Sequence, residues 1–174
     1  MEVRLLTADD APAFQALRLR ALQEHPEAFA ASVEDAQQEP LAQVACQIRD
    51  GPPLQFTLGA FAAETLVGLT HLARYPGAKL RHKARMGGMY VAPEVRGQGI
   101  GAALLDAAIA QAKAKALGGV EALTLAVTVG NTAARALYRA AGFVPFGVEP
   151  RFIRVDEHYY DIEWMIKSLA LDRD

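Results

Sequence analysis

The chain has 174 residues, a formal net charge of -2, 52% apolar residues and 22% charged residues, the proportions of one ordinary globular domain with enough length to bury a core. That balance excludes a global positive field for nucleic acid or an anionic membrane surface, so neither is expected as a partner. A single cysteine, Cys46, excludes an intrachain disulfide, and the scattered His25, His71, His82 and His158 supply no metal-ligand pattern. No metal is expected. The start of the chain shows no apolar run flanked by basic residues, and no stretch reaches the roughly 18 apolar residues of a membrane helix; a cytoplasmic location is the expectation.

Glu2 to Leu6 alternates as a short strand. Thr7 follows as an N-cap, with Asp10 three residues on in an approximate capping box. Phe14, Leu17, Ala21 and Leu22 mark one face of a helix that ends near His25-Pro26, and a second helix is predicted over Pro40 to Arg49, broken by Asp50-Gly51-Pro52-Pro53. Gln55 to Ala63 and Leu66 to Tyr75 read as strands joined by a tight turn at Glu64-Thr65, and residues 76 to 83 form a basic loop. A third strand, Ala84 to Val91, stops at Ala92-Pro93, and an alanine-rich helix runs from Gly99 to Leu117, ended by Gly118-Gly119. Val120 to Val127 is apolar enough to be covered on both faces. A short helix over Asn131 to Ala141, closed by Gly142, precedes two strands, Phe143 to Glu149 and His158 to Ser168. In the last strand Tyr160, Ile162 and Trp164 share one face, with Tyr159, Asp161 and Glu163 on the other. The order β-α-α-β-β-β-α-β-α-β-β describes one mixed α/β domain over residues 1–174.

The segment Arg96-Gly97-Gln98-Gly99-Ile100-Gly101 sits between a strand and a helix. The first amides of a helix lack internal partners and carry the positive end of its dipole, and glycines let the backbone approach a bulky anion. Arg96 can add a formal charge. A P-loop would need Lys-Ser/Thr after its last glycine, and Ala102-Ala103 stands there instead. A dinucleotide fingerprint is formally met by Gly97, Gly99 and Ala102, yet Glu121 lies at the start of its strand rather than the end, and no second half follows.

The stretch Val91-Ala92-Pro93-Glu94-Val95-Arg96-Gly97-Gln98-Gly99-Ile100-Gly101 resembles the acyl-CoA motif of the GNAT N-acetyltransferase superfamily, Arg/Gln-x-x-Gly-x-Gly/Ala. Asn131 to Phe143 resembles a second motif of that family, Asn-x-x-Ala-x-x-Leu-Tyr-x-x-x-Gly-Phe, in the right order and at the right separation. The resemblance covers nearly the whole chain. It implies an α/β (α+β) fold with a mixed, mostly antiparallel sheet, a splayed central strand pair and flanking helices.

The same resemblance implies acetyl-CoA as donor. Main-chain groups of Met89, Tyr90 and Val91 would pair with its pantetheine arm, and the backbone of Arg96, Gly97, Gln98, Gly99, Ile100, Gly101 and Ala102 would hold its pyrophosphate. Gly87-Gly88 in the strand before the loop fits a bulge or a close backbone approach. Asn131 would contact the arm while also serving as an N-cap. Tyr138 would lie near the thioester sulfur, both as part of the donor site and as the acid that protonates the departing thiolate; a phenol with pKa near ~10 is protonated at neutral pH.

The acceptor would be a primary amine of a small molecule, peptide or protein. With a pKa of about 10.4, less than about a thousandth of it is neutral near pH 7, which costs roughly 4 to 5 kcal/mol. Many relatives carry a glutamate on the strand before the phosphate loop, but residues 84–90 contain no carboxylate, which leaves the base open among Glu34, Asp35, His71, Glu157 and His158. Arg151 and Arg154 could clamp a carboxylate on the acceptor, whereas Asp156, Glu157, Asp161 and Glu163 would suit a cation, so the sign of the acceptor site stays open. Arg74, Lys79, Arg81, His82, Lys83 and Arg85 give the neighbouring connection a basic character. Two functions follow: direct acetyl transfer to an amine through a tetrahedral intermediate, or a non-catalytic domain that binds or senses acyl-CoA. The family also allows a homodimer.

Overall fold

In a computed structural model the chain is described over residues 1–49, 54–114 and 118–169. Seven strands form one sheet in the order β1-β2-β3-β4-β5-β7-β6, from β1 (Glu2–Leu5), β2 (Gln55–Ala62), β3 (Thr65–Arg74), β4 (Lys83–Val91), β5 (Ala122–Thr128), β6 (Val144–Val155) and β7 (His158–Ser168). Only the β4–β5 pair is parallel; every other neighbour is antiparallel, the mostly antiparallel sheet that the family resemblance implies.

Helices α1 (Ala11–Glu24), α2 (Val33–Gln38) and α3 (Leu41–Arg49) precede the main run of strands, and α4 (Ile100–Lys113) and α5 (Thr132–Ala140) follow the two inner strands. Leu17, Ala21 and Leu22 of α1 are buried, as the helical period predicts. On the other face of the sheet α4 presents Ile100, Leu104, Leu105 and Ala108 to the core, and a Cβ on Gly68 of β3 would lie 3.0 Å from Leu104 and 3.4 Å from Ile100. Leu58, Leu72, Met86, Leu123, Leu125 and Met165, each at most 2% exposed, pack the face of the sheet beneath α4. No helix among the described residues is long and apolar enough to cross a membrane.

Four local expectations change. The short helix α2 is unpredicted; Ser32 starts it by accepting from the Asp35 amide at 3.0 Å, a capping signal outweighed by the polar run that follows. The β2–β3 turn falls on Ala63-Glu64, one residue earlier than predicted, with Ala63 in the left-handed region at φ 52°. Strand β6 runs on to Val155, past Glu149, by way of an irregularity opposite β7 between Glu149 and Ile153. Strand β5 begins at Ala122 rather than Val120. The breaker at residues 50–53 and the helix end at Leu117 lie outside the described residues.

Candidate active site

The site begins where two parallel strands part. β4 and β5 are paired at Lys83–Ala122, Ala84–Leu123 and Arg85–Thr124, and nowhere beyond. Thr124 pins this root: its hydroxyl donates to the Ala84 carbonyl at 3.4 Å and lies 3.0 Å from the Tyr75 hydroxyl. From Met86 to Val91 the edge of β4 that faces β5 has no strand partner, so the expected splay is present and the main chain of Met89, Tyr90 and Val91 lies along it. On its other edge β4 stays paired to β3, with an irregularity between Leu69 and His71 that places Gly87 opposite His71 and Tyr90 opposite Leu69. Gly88, at φ 62°, is the extra residue of that bulge.

Past Val91 the chain enters a 3-10 turn, Pro93–Val95, and then the glycine loop. Gly97 and Gly99 both adopt φ 78°, and Gly99 is the N-cap of α4 with no side-chain cap. The backbone amides of Ile100, Gly101 and Ala102 have no intrahelical acceptor and form a run of N–H groups at the positive end of a 14-residue helix. Such a run can hold a pyrophosphate. Arg96 folds back on the strand: its Nε donates to the Val91 carbonyl at 2.9 Å and a terminal nitrogen meets His25 Nε2 at 3.1 Å. Its charge stays beside the loop while its side chain braces the strand end. A second brace ties α1 to the same place, with the Tyr90 hydroxyl donating to Glu24 at 2.6 Å and Arg20 making a bidentate pair with Glu94 at 2.7 and 2.8 Å. Burial, then the bond to Glu24, pushes the Tyr90 phenol up to about 12, and the Arg20 bond holds the Glu94 carboxyl down at about 2.

Helix α5 stands on the far bank of the splay. Asn131 caps it, its Oδ1 accepting from the Ala134 amide at 3.1 Å. One turn in, Leu137 lies 3.3 Å from where a Cβ on Gly101 would stand, so α5 packs close against the start of α4. Tyr138 is buried and packs edge-on to Phe143 with ring centroids 6.0 Å apart. Its hydroxyl bonds to no described residue. Burial pushes this phenol well above the ordinary tyrosine value, which keeps it protonated.

Beside the splay a cavity of about 420 Å³ opens on the face covered by α1. Gly87, Gly88, Ala126 and Thr128 line it from the two splayed strands, Phe14, Arg18 and Leu22 from α1, and His71 with Thr57 from β3 and β2. Of the five candidate bases, only His71 lines it. Its Nδ1 lies 3.0 Å from Thr57 Oγ1, and desolvation, helped by the Arg18 charge, holds its pKa below the usual imidazole value. Glu34 and Asp35 sit in the first turn of α2, and Glu157 and His158 at the tip of the β6–β7 hairpin, all outside the cavity wall. Arg151 and Arg154 are also elsewhere, stacked on Tyr159 with 4.0 and 5.7 Å to the ring centroid. Glu163 faces α5, where Arg135 holds it at 2.8 and 3.1 Å and keeps its carboxyl below the usual range, and Asp161 accepts from the Arg151 amide. None of the four acids weighed for a cationic acceptor reaches the cavity. Arg18 and Arg85 do, and no aspartate or glutamate lines it among the described residues.

A splayed parallel pair, a bare helix N-terminus beyond it and an open cavity beside it define a cleft for an extended, phosphorylated donor and a smaller second ligand. The acetyltransferase (GNAT) family model matches residues 14–143, which includes the loop and most of the cavity wall, and the chain belongs to that family, whose members are acyltransferases. It is 34% identical over 161 residues to a mycothiol acetyltransferase of Thermobispora bispora, covering 87% of this chain and 50% of that protein, so it spans about half the length of the curated relative. An acetyltransferase of the GNAT family from Streptococcus pneumoniae superposes with a TM-score of 0.86 at 24% identity over 97% of this chain and 99% of that one. The yncA protein of Salmonella typhimurium, solved with its cofactor acetyl-CoA, superposes with a TM-score of 0.79 at 19% identity, covering 100% of this chain and 96% of that one.

Proposed function

We propose that this domain transfers an acetyl group from acetyl-CoA to a primary amine seated in the cavity, by direct attack of the amine on the thioester. The observation that carries the reading is the splay: the unpaired edge of β4 runs from the cavity wall at Gly87 to the glycine loop at Arg96. A donor lying along that edge would have its pyrophosphate at the amides of residues 97–102 and its pantetheine on the main chain of Met89, Tyr90 and Val91, with Asn131 on the opposite bank. Its thioester would then reach the cavity.

His71 is the proton acceptor in this reading. With Nδ1 donating to Thr57, its Nε2 is left as an acceptor, and a depressed pKa keeps the ring neutral near pH 7. The positive surroundings of Arg18 and Arg85 also favour the neutral form of a bound amine. The amine lone pair forms the C–N bond, and the carbonyl oxygen takes the charge beside a strand amide near Met89 to Val91. When the C–S bond breaks, the Tyr138 hydroxyl gives its proton to the thiolate while the nitrogen loses its own to His71. Thiol release from acetyl-CoA across a panel of amines tests the reading. Tight acetyl-CoA binding with no release for any amine would leave a binding or sensing domain in its place.

A further inference from the structure

Two arginines line the cavity, and among the described residues one of them has no acidic partner. Arg18, the first of its two arginines, is engaged by Glu39 at 2.7 Å. Arg85 has no ion pair and no side-chain hydrogen bond to any described residue; its guanidinium lies 5.0 Å over the Trp164 ring. The indole face attracts the charge without using its N–H donors, and an arginine with free donors can grip a planar anion through two parallel bonds. Phe14, Leu22, Phe29, Ile48 and Phe152 give the wall apolar surface beside the polar Gln47, Gln55, Thr57, His71 and Thr128, and no carboxylate lines it among the described residues. A plain cationic amine would meet the Arg85 charge with no carboxylate on the described wall to offset it, whereas an anion would pair with that charge.

Position supplies the geometry. Arg85 is the last β4 residue paired with β5, at the root of the splay, and Gly87, two residues on along the same face, is paired with His71. Two residues of strand span roughly 6.6 Å, and from β4 the Arg85 guanidinium turns toward Trp164 on β7 while His71 stands on β3, so one ligand carrying both an anion and an amine would bridge them across the cavity. We propose that the acceptor is a free amino acid with an apolar side chain, its carboxylate held by Arg85 and its amine directed to His71. This assignment rests on the acetyl-transfer reading only for the word acceptor; the binding site stands without it.

The test is calorimetric titration into the CoA-loaded full chain of L-phenylalanine, L-leucine and L-methionine, each beside its decarboxylated amine and its aminophosphonate counterpart. The carboxylate member of at least one set is expected to bind tenfold or more tighter than its amine. Arg85→Gln is expected to reduce that preference at least tenfold, and Arg85→Lys, which keeps the charge without the fork, to restore part of it. Equal or weaker binding of every amino acid overturns the proposal, as does an equal loss for both members of each pair in Arg85→Gln. Tighter binding of the phosphonates would mean a phosphoryl-bearing ligand and would overturn the carboxylate. Thiol release on the same panel separates the two readings: carboxylate preference without turnover sinks acetyl transfer alone, and turnover without preference sinks this assignment alone.

Discussion

The loop over residues 96–102 and the cavity around His71 lie at opposite ends of one splay and are built from different material. The loop offers main-chain N–H groups on a rigid helix start, so the identities of its non-glycine side chains matter little. The cavity offers side chains from six strands and from helices α1 and α3, so each residue there can alter what is bound. A donor common to a whole family suits a backbone site; an acceptor that differs between members suits a side-chain site.

Gly99→Glu attacks the backbone half directly and should have the largest effect. A non-glycine residue at φ 78° is strained, and its carboxylate would stand where the pyrophosphate belongs. Acetyl-CoA affinity should fall by more than about 100-fold in direct titration, with the fold retained by circular dichroism; retained affinity would break the contrast. Tyr138→Phe comes next, with turnover down about 100-fold, within the range for one general acid, and acetyl-CoA affinity held within about twofold. Unchanged turnover would assign the proton to water.

His71→Gln should lower kcat/KM by at least about tenfold and remove one limb of its pH profile. In the parent the active form of His71 is neutral, and its folded pKa lies below the usual imidazole value, so the rate limb rises with pH and is centred below about 6.5. A parent limb centred above that value would contradict a buried imidazole as base. Glu94→Gln is the smallest: it removes the surface pair with Arg20 at the loop entrance and should change acetyl-CoA affinity less than about threefold. A large loss there would mean that side chains, not only main chain, hold the donor end.

The same contrast governs what could be read in the sequence. The loop and α5 are contiguous motifs, so Gly97, Gly99, Asn131 and Tyr138 carry their meaning along the chain and the structure puts them at helix starts and against the splay. The cavity depends on which residue of β3 faces which of β4, and a bulge shifts that correspondence; five bases therefore stayed open until only His71 met the wall. Arg85 was legible only as one more charge in a basic stretch, and its isolation over Trp164 requires β7 to lie beside β5. Ala63 shows the same limit locally, because nothing in an alanine announces a left-handed backbone.

Gly88 sets the phase of everything after it. Alternation along an unbroken strand would turn Tyr90 to the same side as Met86, toward α4, and Val91 toward α1. One inserted residue inverts the count: Gly87 and Tyr90 now point the same way, because they oppose His71 and Leu69, and Val91 opposes Gly68 beneath α4. Deleting Gly88 would thus exchange inside for outside over the last turn of chain before the glycine loop, pulling Tyr90 off Glu24 without touching a single ligand-facing side chain. The two ends of the cleft keep step with each other through one residue that has no side chain at all.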